Sequence, residues 1–329
     1  MSLNKRKNNV VLSEGHFMKT PLTVFIDGEH GTTGLKIRRL LSNRSDINLL
    51  TLPHDERHDL SSRLDRLNTA DIAILCLPDT AAKDTINQLS TNITTRIIDS
   101  SSAFRTNPHW VYGFGEMTTG QIKRIADAQF ISNPGCYPTG AISLIRPLRE
   151  AGIIDEDYPI SINAVSGYSG GGKQLIEQME NASKDDAIAA NFFTYSLNLQ
   201  HKHTAEIKKH ALLKNTPLFL PSVGRFAQGM IVHLPLHKTL FKKSVKIENL
   251  YEIFLNHYAN QKIISISTQQ EALEINRLDP EMMLNTDKMK IYIFGNEKEG
   301  IFNLTAVLDN LGKGSSGAAV QNLNLLLGA

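Results

Sequence analysis

Cysteine is scarce in this sequence: its 329 residues include only two, Cys76 and Cys136. Two cysteines cannot form a disulfide framework, so we expect a reducing compartment, the cytoplasm. Strong charge of either sign is also lacking, because 35 Lys and Arg residues against 33 Asp and Glu give a formal net charge of +2. This balance argues against nucleic acids and membrane surfaces as partners and leaves small molecules.

Long apolar runs are missing as well. No segment approaches the roughly 18 consecutive apolar residues of a membrane-spanning helix. Residues 1–19 lack the apolar stretch of a secretory signal and are expected to form a flexible tail. The remaining chain is long enough for two domains, at roughly 100–200 residues each.

Strand-like and helix-like segments alternate through the first half of the chain. The strand candidates are short apolar runs, at residues 22–27, 47–52, 71–78 and 96–101. Because this rhythm is typical of β-α-β units, it predicts an α/β fold with a parallel, Rossmann-type sheet over residues 20–135.

The pattern of predicted strands and helices changes after Gly140. An amphipathic helix precedes strand candidates that alternate less regularly with helices, at residues 160–167, 229–236 and 290–297. We therefore expect an α+β catalytic and oligomerisation domain over residues 136–312. The last segment, residues 313–329, is predicted to be a helix that returns to complete the first domain.

A glycine-rich turn, "DGEHGTTG", follows the first predicted strand and opens a helix. Gly28, Gly31 and Gly34 allow a tight turn and a close approach of a pyrophosphate, and the helix start offers free N–H groups. The spacing G-x-x-G-x-x-G departs from the usual fingerprint, so an ordinary strand–helix turn is the alternative. We predict dinucleotide binding, with Thr32 and Thr33 among the contacts.

The choice between NAD and NADP depends on the loop that begins "PHDERHD", after the second predicted strand. Asp55 or Glu56 would accept hydrogen bonds from a ribose hydroxyl and favour NAD, whereas Arg57 or Arg63 would pair with a 2′-phosphate and favour NADP. The same residues also fit a solvated loop, so both choices remain open here.

Cys136 stands in "SNPGCYPTG", between a Pro-Gly turn and a Tyr-Pro-Thr that opens a helical run. A thiol at a helix N-terminus lies close to free N–H groups and to the positive end of the helix dipole. Both favour the thiolate, which is the nucleophilic form. Cys76, by contrast, lies inside the apolar run "AILCLP" and is expected to be a buried, inert strand residue.

A nucleophilic thiol needs a proton acceptor, and "QHKHTAEI" is the densest polar group of histidines in the chain. His201 and His203 would share one side of an extended segment, and Glu206 would orient one of them. A metal site is less favoured, because no third ligand is evident nearby. A cysteine–histidine pair also fits a hydrolase, but with a dinucleotide turn it indicates redox chemistry of an aldehyde or an acyl phosphate.

Six motifs together resemble the N-acetyl-gamma-glutamyl-phosphate reductase family, of the semialdehyde dehydrogenase superfamily, in its shorter variety. They occur in the expected order: "IDGEHGTTG", "SSAFR", "SNPGCYPTG", "NAVSGYSGGGK", "HKHTAEI" and "PSVGRFAQGM". The resemblance covers nearly all of the chain after the tail. It implies NADPH-dependent reduction of N-acetyl-glutamyl 5-phosphate to its semialdehyde, in arginine biosynthesis, by a homo-oligomer that is a dimer or a tetramer.

Carried over residue by residue, the resemblance implies Cys136 as the nucleophile and His201 as the acid and base. Arg105 would receive the substrate phosphate, which suits a planar guanidinium, and Arg225 would receive the substrate carboxylate. Further substrate contacts would be Tyr195, His203 and Glu206. The cofactor contacts would include Arg57, Ser101, Gly167, Ser169, Gly170, Gly171 and Asn310.

Two other functions remain open at this point. An aspartate-semialdehyde dehydrogenase would use the same thiol, histidine and NADP. A nucleotide-binding regulator would keep the fold and have lost catalysis.

Overall fold

The computed structural model of the protein describes residues 21–89 and 93–328, so the predicted tail lies outside the described residues. The first part of the chain contains a six-stranded sheet. Its strands are β1 (Leu22–Asp27), β2 (Ile47–Leu50), β3 (Ile72–Leu75), β4 (Arg96–Asp99), β5 (Val111–Tyr112) and β6 (Phe130–Ser132). Its helices are α1 (Thr32–Leu41), α2 (Leu60–Thr69), α3 (Asp79–Gln88) and α4 (Gln121–Asp127).

Every pair in this sheet is parallel, in the order β2-β1-β3-β4-β6-β5. All four residues of β3 are buried, as expected for a central strand whose sheet is covered by helices on both faces. The predicted α/β class with a Rossmann-type sheet is confirmed.

The strands of this sheet end level with one another. Asp27 is paired with Leu75, Leu75 with Asp99, and Asp99 with Ser132. The segments that follow these residues therefore meet at one edge, where open parallel sheets bind their ligands. The glycine turn follows β1, and Cys136 comes shortly after β6.

The second part contains a seven-stranded mixed sheet, in the order β11-β12-β13-β10-β7-β9-β8. Its strands are β7 (Ser161–Gly167), β8 (Phe192–Thr194), β9 (Leu218–Gly224), β10 (Met230–His237), β11 (Ile264–Ile266), β12 (Met289–Asn296) and β13 (Ile301–Leu308). Its helices are α5 (Cys136–Glu150), α6 (Gly172–Glu180), α7 (His203–His210), α8 (Ile247–His257) and α9 (Gln269–Glu274). The pairs β7–β9 and β11–β12 are parallel and the others antiparallel.

Helix α5 packs closely on this sheet. An ideal Cβ on Gly140 would lie 2.6 Å from Val232 Cγ2, so only a glycine allows this approach. Ile142 and Ile145 of the same helix join Leu304 in the main apolar core. The helix that begins at Cys136 is thus fixed in position by its packing on the second sheet.

The chain then returns to the first part. After a π-helical turn at residues 312–316, helix α10 (Gly317–Leu327) packs on α4 and α1. Leu323 joins Ile37 in the apolar core under the first sheet. Lys313 Nζ donates to Glu116 Oε2 at 2.7 Å, and both side chains are buried. This ion pair fastens the returning segment to the loop after β5.

Two predicted boundaries differ from the structure. The helix whose amphipathic run was predicted after Gly140 begins at Cys136, one residue before the Tyr-Pro-Thr that was expected to open it. The strand predicted over residues 71–78 ends at Leu75, which places Cys76 just beyond it. Both differences bring a cysteine closer to the edge where the strands end.

Candidate active site

A cavity of about 880 Å³ opens at the edge where the strands of the first sheet end. Residues from both parts of the chain line it, so neither sheet forms it alone. It brings together thirteen of the residues predicted for the site: Thr32, Thr33, Ser101, Arg105, Cys136, Gly167, Ser169, Gly170, Gly171, Tyr195, His201, His203 and Asn310.

A second cavity of about 560 Å³ meets the first at the glycine turn. Gly28 and Gly31 line the second cavity, and Leu77 and Pro78 line both. We call the two cavities together the groove, with a cysteine end around Cys136 and a glycine end around Gly28. Gly34, Glu206 and Arg225 line neither cavity.

Cys136 is the first residue of α5 and is partly exposed to the cavity. The preceding Gly135 makes no side-chain cap, so the N–H groups of the first turn remain available to a ligand. Gly314, in the returning segment, lies against the cysteine: an ideal Cβ there would be 2.9 Å from Cys136 Cβ. A glycine at this position keeps the approach to the thiol open.

The acidity of this thiol differs from the prediction. The pKa of Cys136 is raised to about 11, mainly by burial, and the charge of Glu206 contributes to this rise. The N–H of Tyr137 and the charge of Arg105 lower the pKa without overcoming burial. The predicted resting thiolate is therefore wrong for this arrangement, and the thiol needs a proton acceptor when it reacts.

His201 and His203 lie together in the cavity wall, with ring centroids 4.7 Å apart. Burial lowers the pKa of His201 to about 4 and that of His203 well below its usual value, so both rings are neutral near pH 7. The main-chain N–H of His203 donates to Nδ1 of His201 at 3.1 Å. The neutral ring of His201 must then carry its proton on Nε2, which lies 3.3 Å from the Tyr195 hydroxyl.

Arg105 is buried at 7% exposure and forms part of the same wall. Its Nε donates to the Asn133 carbonyl at 2.9 Å, and its Nη2 donates to the Ser100 carbonyl at 3.0 Å. Nη1 pairs with Glu206 Oε2 at 3.1 Å. Three of the five guanidinium N–H groups are used, so two remain for a ligand.

Glu206 has a different role from the predicted one. Its carboxylate accepts hydrogen bonds from Arg105, from the Tyr112 hydroxyl at 2.7 Å and from the Gly135 N–H at 2.8 Å. It contacts neither histidine through these bonds and is 1% exposed, behind the cavity wall. Helix α7 turns this side chain toward Arg105, so Glu206 holds the arginine rather than orienting a histidine or touching a substrate.

The glycine-rich segment after β7 forms another wall. Tyr168–Gly171 is a short 3-10 helix, and Gly167 fits tightly because a Cβ there would lie 2.5 Å from the Ala227 carbonyl oxygen. Asn310 Nδ2 donates to Ser169 Oγ at 3.1 Å, and its Oδ1 accepts the Gly229 N–H at 2.9 Å. Asn310 thus braces this wall from behind.

The glycine end fits the phosphates of a dinucleotide. Gly28 has a φ of +86°, and a Cβ on it would lie 2.5 Å from the Cys76 carbonyl oxygen. Helix α1 starts after Gly31 without a side-chain cap and without an acidic residue in its first turn. Its free N–H groups and positive dipole end suit an anion, and they face the junction of the two cavities. Gly34 serves this turn from within, because a side chain there would collide with the Gly28 main chain.

The four candidates for cofactor choice separate clearly. Arg57 lines the glycine end with its guanidinium between the rings of His54 and His58, at 2.7 and 3.1 Å. Asp55 and Glu56 line neither cavity.

Arg63 also lines the glycine end, but it donates to both oxygens of the buried Asp27 and to Thr85 Oγ1. This arginine therefore neutralises a carboxylate, and of the two candidate arginines Arg57 is the one left for a ligand.

Arg225 lies away from the cavity that it was predicted to serve. Its guanidinium donates to the main-chain carbonyls of Met179 at 2.8 Å, Ala190 at 3.3 Å and Ile188. The exposed arginine braces the connection between α6 and β8, so the predicted contact with the substrate carboxylate is not supported.

Cys76 lines the glycine end and is only partly buried as a residue. Desolvation around its sulfur raises the pKa of the thiol to about 12. The raised pKa favours the predicted low reactivity of this thiol, but the predicted place is wrong, because Cys76 is partly exposed and lies just after the strand.

Several residues of the cavity were missed in the sequence. Lys202 stands between the two histidines, and Gly314 and Ser315 belong to the glycine-rich lead-in of the last helix. Asp79 begins α3 and accepts hydrogen bonds from the N–H and hydroxyl of Ser102. Lys202 lies in a motif that the sequence already singles out, and Gly314 and Ser315 lie in the predicted last segment, whereas Asp79 has no distinguishing signal.

Two further features are absent from residues 21–89 and 93–328. Within these ranges no group of three or more His, Cys, Asp or Glu side chains is arranged to hold a metal ion. No helix in the same ranges has the length and apolar character needed to cross a membrane.

Known proteins resemble this chain along nearly its whole length. Residues 53–125 match the sequence model described as "Semialdehyde dehydrogenase, NAD binding domain", and residues 136–310 match "Semialdehyde dehydrogenase, dimerisation domain". N-acetyl-gamma-glutamyl-phosphate reductases of Brucella suis and Brucella anthropi are 52% identical over 305 residues, covering 93% of this chain and 98% of theirs.

Solved structures show the same fold at low identity. Aspartate semialdehyde dehydrogenase II of Vibrio cholerae, complexed with ASA, aligns with a TM-score of 0.70 and 15% identity over 94% of this chain and 99% of its own. The Candida albicans enzyme with NADP aligns with a TM-score of 0.65 and 14% identity over 93% and 98%. Since the Brucella relatives match over almost their full length, this chain belongs to the N-acetyl-gamma-glutamyl-phosphate reductase family, a branch of the semialdehyde dehydrogenases.

Proposed function

We propose that this chain reduces N-acetyl-glutamyl 5-phosphate to N-acetylglutamate 5-semialdehyde, with NADPH as the reductant and release of phosphate, in arginine biosynthesis. One observation carries the proposal beyond family membership. Cys136 begins a helix without a side-chain cap, in a cavity that also contains His201 and Arg105 and that continues to the glycine turn. A nucleophile, a proton carrier and an anion site thus share one groove with a dinucleotide turn.

In the first step Sγ of Cys136 attacks the acyl carbon of the substrate. The C–S bond forms and the C–O bond to the phosphate breaks. His201 takes the thiol proton and passes it to the departing group, which leaves as hydrogen phosphate. To accept a proton at Nε2, His201 must carry its own proton on Nδ1, so the hydrogen bond from the His203 N–H has to open.

In the second step the thioester carbon receives a hydride and the resulting thiohemiacetal breaks down. After the phosphate has left, His201 loses its Nδ1 proton to solvent and takes one at Nε2, which restores the tautomer of this structure. Its Nε2–H then points toward the Tyr195 hydroxyl and can donate to the oxyanion that forms. The C–S bond then breaks, the semialdehyde leaves, and a proton from solvent restores the thiol. Covalent catalysis divides one difficult displacement into two easier steps.

The residues of the groove suit a nicotinamide dinucleotide. When bound, this cofactor supplies the hydride. Thr32 and Thr33 at the start of α1 would hold its pyrophosphate, and Ser101, Gly170 and Asn310 line the cavity that leads to Cys136. Arg57 would bind a 2′-phosphate at the glycine end, which favours NADPH over NADH.

The test is an assay in the reverse direction, with N-acetylglutamate semialdehyde, inorganic phosphate and either NADP⁺ or NAD⁺. We expect reduction of NADP⁺ that requires phosphate and prefers this semialdehyde to aspartate semialdehyde. Preference for aspartate semialdehyde would support the alternative dehydrogenase. No reduction of either cofactor, with the cofactor still bound, would support a regulator.

The domain division, assembly and location belong to the same proposal. We infer a cofactor domain at residues 20–135, completed by 313–329, and a catalytic and oligomerisation domain at 136–312, in a homodimer or homotetramer. The match of residues 136–310 to a dimerisation domain supports this, as do exposed apolar side chains such as Phe192 (55%) and Leu197 (76%). Light scattering of the purified chain measures the assembly. Two free cysteines are consistent with a cytoplasmic location.

A further inference from the structure

The substrate of the proposed reaction brings two anionic groups into the cavity, a phosphate and a carboxylate. The inference that follows rests on this proposed function. Among the described residues that line the cavity, the side chains with a permanent charge are Asp79, Arg105 and Lys202. Because Arg225 lies elsewhere, the cavity has fewer cations for these anions than the sequence predicted.

The charge of Arg105 is already balanced. Glu206 pairs with its Nη1 at 3.1 Å, and both side chains are buried, at 8% and 2% exposure. A buried ion pair presents little net charge to a ligand, although two N–H groups of the guanidinium remain to donate hydrogen bonds. Arg105 can thus donate hydrogen bonds that orient a bound anion, but another group has to supply the positive charge.

Lys202 is the cavity residue whose positive charge is not balanced by a paired carboxylate among the described residues. It lines the cavity immediately before α7, and it forms no ion pair with any carboxylate in the part of the chain that the structure describes. Its neighbours His201 and His203 are neutral near pH 7, since burial and the charge of Lys202 itself lower their pKa values. The positive charge of this segment therefore resides on Lys202.

Lys202 and Arg105 lie close enough to Asp79 for both charges to act on its carboxylate. Desolvation raises the pKa of Asp79, but hydrogen bonds from Ser102 and the charges of Lys202 and Arg105 bring it below its usual value. Ser102 also lines the cavity, and Arg105 Nη2 donates to the nearby Ser100 carbonyl. Lys202, Ser102 and Arg105 thus line one cavity, and all three act on the same carboxylate, Asp79.

A second feature indicates a ligand at this position. His203 is 7% exposed and lines the cavity, yet its Nδ1 is buried without a hydrogen-bond partner among the described residues. Its Nε2 lies close to Arg105, because an ideal Cβ on Gly135 would be 2.7 Å from that nitrogen and 2.6 Å from Arg105 Nη1. A buried polar atom without a partner is costly and is usually satisfied when a ligand is bound.

We propose that Lys202 is a substrate-binding residue that supplies the positive charge for the phosphate group, both as it leaves the acyl carbon and as it enters in the reverse reaction. Arg105 then donates hydrogen bonds to the phosphate and fixes its orientation. This separates charge from direction, with the charge on a flexible side chain at the mouth of the cavity and the direction in its wall.

The reverse assay tests this proposal because phosphate and semialdehyde are then separate substrates. Lys202→Gln should raise the KM for phosphate at least about tenfold, as expected for the loss of one charged contact, and leave the KM for the semialdehyde nearly unchanged. Lys202→Arg should restore most of the phosphate affinity. Lys208→Gln removes the same charge from α7, the helix that follows Lys202, at a position outside both cavities and should behave as wild type.

A readout without turnover accompanies the kinetics. Inorganic phosphate should protect the Cys136 peptide from iodoacetamide, measured by mass spectrometry, and Lys202→Gln should require about tenfold more phosphate for the same protection. If the wild type shows no phosphate-dependent reduction of NADP⁺, the proposed reaction fails, while the protection assay still measures the phosphate site.

Three results would overturn the assignment. A rise confined to the KM for the semialdehyde would make Lys202 a carboxylate contact. Weaker NADP⁺ binding alone would make it a cofactor contact. Equal behaviour of Lys202→Gln and Lys208→Gln in both assays would show a solvated lysine whose charge merely offsets Asp79.

Discussion

The glycine end of the groove is lined by residues between 25 and 81, in the first sheet and its connections, together with Lys173, whereas the cysteine end is assembled from segments of both sheets. Gly28 and Arg57 lie within one β-α-β unit. At the other end, Cys136, Arg105, His201 and Gly314 come from four distant stretches of chain. The first kind of site depends mainly on the folding of one sheet, and the second needs the two parts of the chain to be correctly docked.

Each end also contains a buried arginine–carboxylate pair. One pair joins elements of a single sheet, and the other joins the two parts of the chain. Arg63 and Asp27 join neighbouring elements of the first sheet, and Thr85 takes a further N–H group of the arginine. Arg105 and Glu206 join the first sheet to α7, over a separation of 101 residues. The first pair stabilises a binding surface, while the second sets the position and charge around a reacting thiol.

Removing the thiol should have the largest effect on the cysteine end and almost none on the glycine end. In Cys136→Ala we expect turnover to fall below detection, because no thioester can form, while the dissociation constant for NADPH stays within about twofold of wild type, since the ends are independent. Stopped assays measure turnover and NADPH fluorescence measures binding. Equal loss of both would contradict the separation of the ends, and wild-type turnover would contradict the mechanism.

Removing the proton carrier should have the next largest effect. In His201→Ala we expect kcat to fall by about 10²- to 10⁴-fold, again without loss of NADPH binding. Because burial lowers the pKa of His201 to about 4, wild-type activity should show no histidine titration between about pH 6 and pH 8. A step in the pH profile in that interval, absent from His201→Ala, would show that the ring is less buried during turnover. A loss confined to His203→Ala would transfer the role to that residue.

Removing the charge of Arg57 at the glycine end should change only the preference for NADPH over NADH. In Arg57→Gln we expect the dissociation constant for NADPH to rise about tenfold and that for NADH to stay the same, because only the 2′-phosphate contact is lost. Calorimetry with both cofactors measures this.

Arg63→Gln is the matched comparison at the same end. It leaves Asp27 buried without its partner and should cost about 3–5 kcal/mol of the free energy of unfolding, seen in denaturant titration. If Arg63→Gln, rather than Arg57→Gln, changed cofactor choice at unchanged stability, the assignment of the two arginines would be reversed.

The same contrast explains what could be predicted from the sequence. The alternating pattern indicated the first sheet, and local motifs identified Cys136, His201 and the glycine turn, because each depends on residues that are close together in the chain. The β-α-β rhythm also placed these motifs at strand ends, where the level ends of β1, β3, β4 and β6 bring them together.

The errors arise where partners are distant in the chain. Glu206 was expected to orient a histidine because both lie in one motif, but α7 turns it toward Arg105 and Gly135. Arg225 lies in a family motif, yet three main-chain carbonyls take its guanidinium. The helix start at Cys136 favoured a thiolate locally, and burial by both sheets outweighs it. Local chemistry identifies the groups, and tertiary packing decides their charge and direction.

The smallest expected effect, that of Glu206→Gln, tests whether tertiary packing sets the pKa of the Cys136 thiol. Glu206→Gln keeps the size of the side chain and a carbonyl oxygen for the Gly135 N–H, but it removes the charge that raises the pKa of Cys136. The charge of Arg105, which lowers that pKa, is then no longer offset. Since the thiolate fraction below the pKa rises as the pKa falls, alkylation of Cys136 by iodoacetamide should be about three- to tenfold faster at every pH below about 10.

The control for this variant is Glu116→Gln, which removes the carboxylate partner of another buried cation, Lys313, outside the lining of the groove. Both variants should lower the melting temperature, because each leaves a buried cation without its carboxylate partner. Only Glu206→Gln should change the alkylation rate. If the two variants alkylate alike, the Arg105–Glu206 pair joins the sheets without setting the thiol, and the cysteine end would depend on docking for its shape alone.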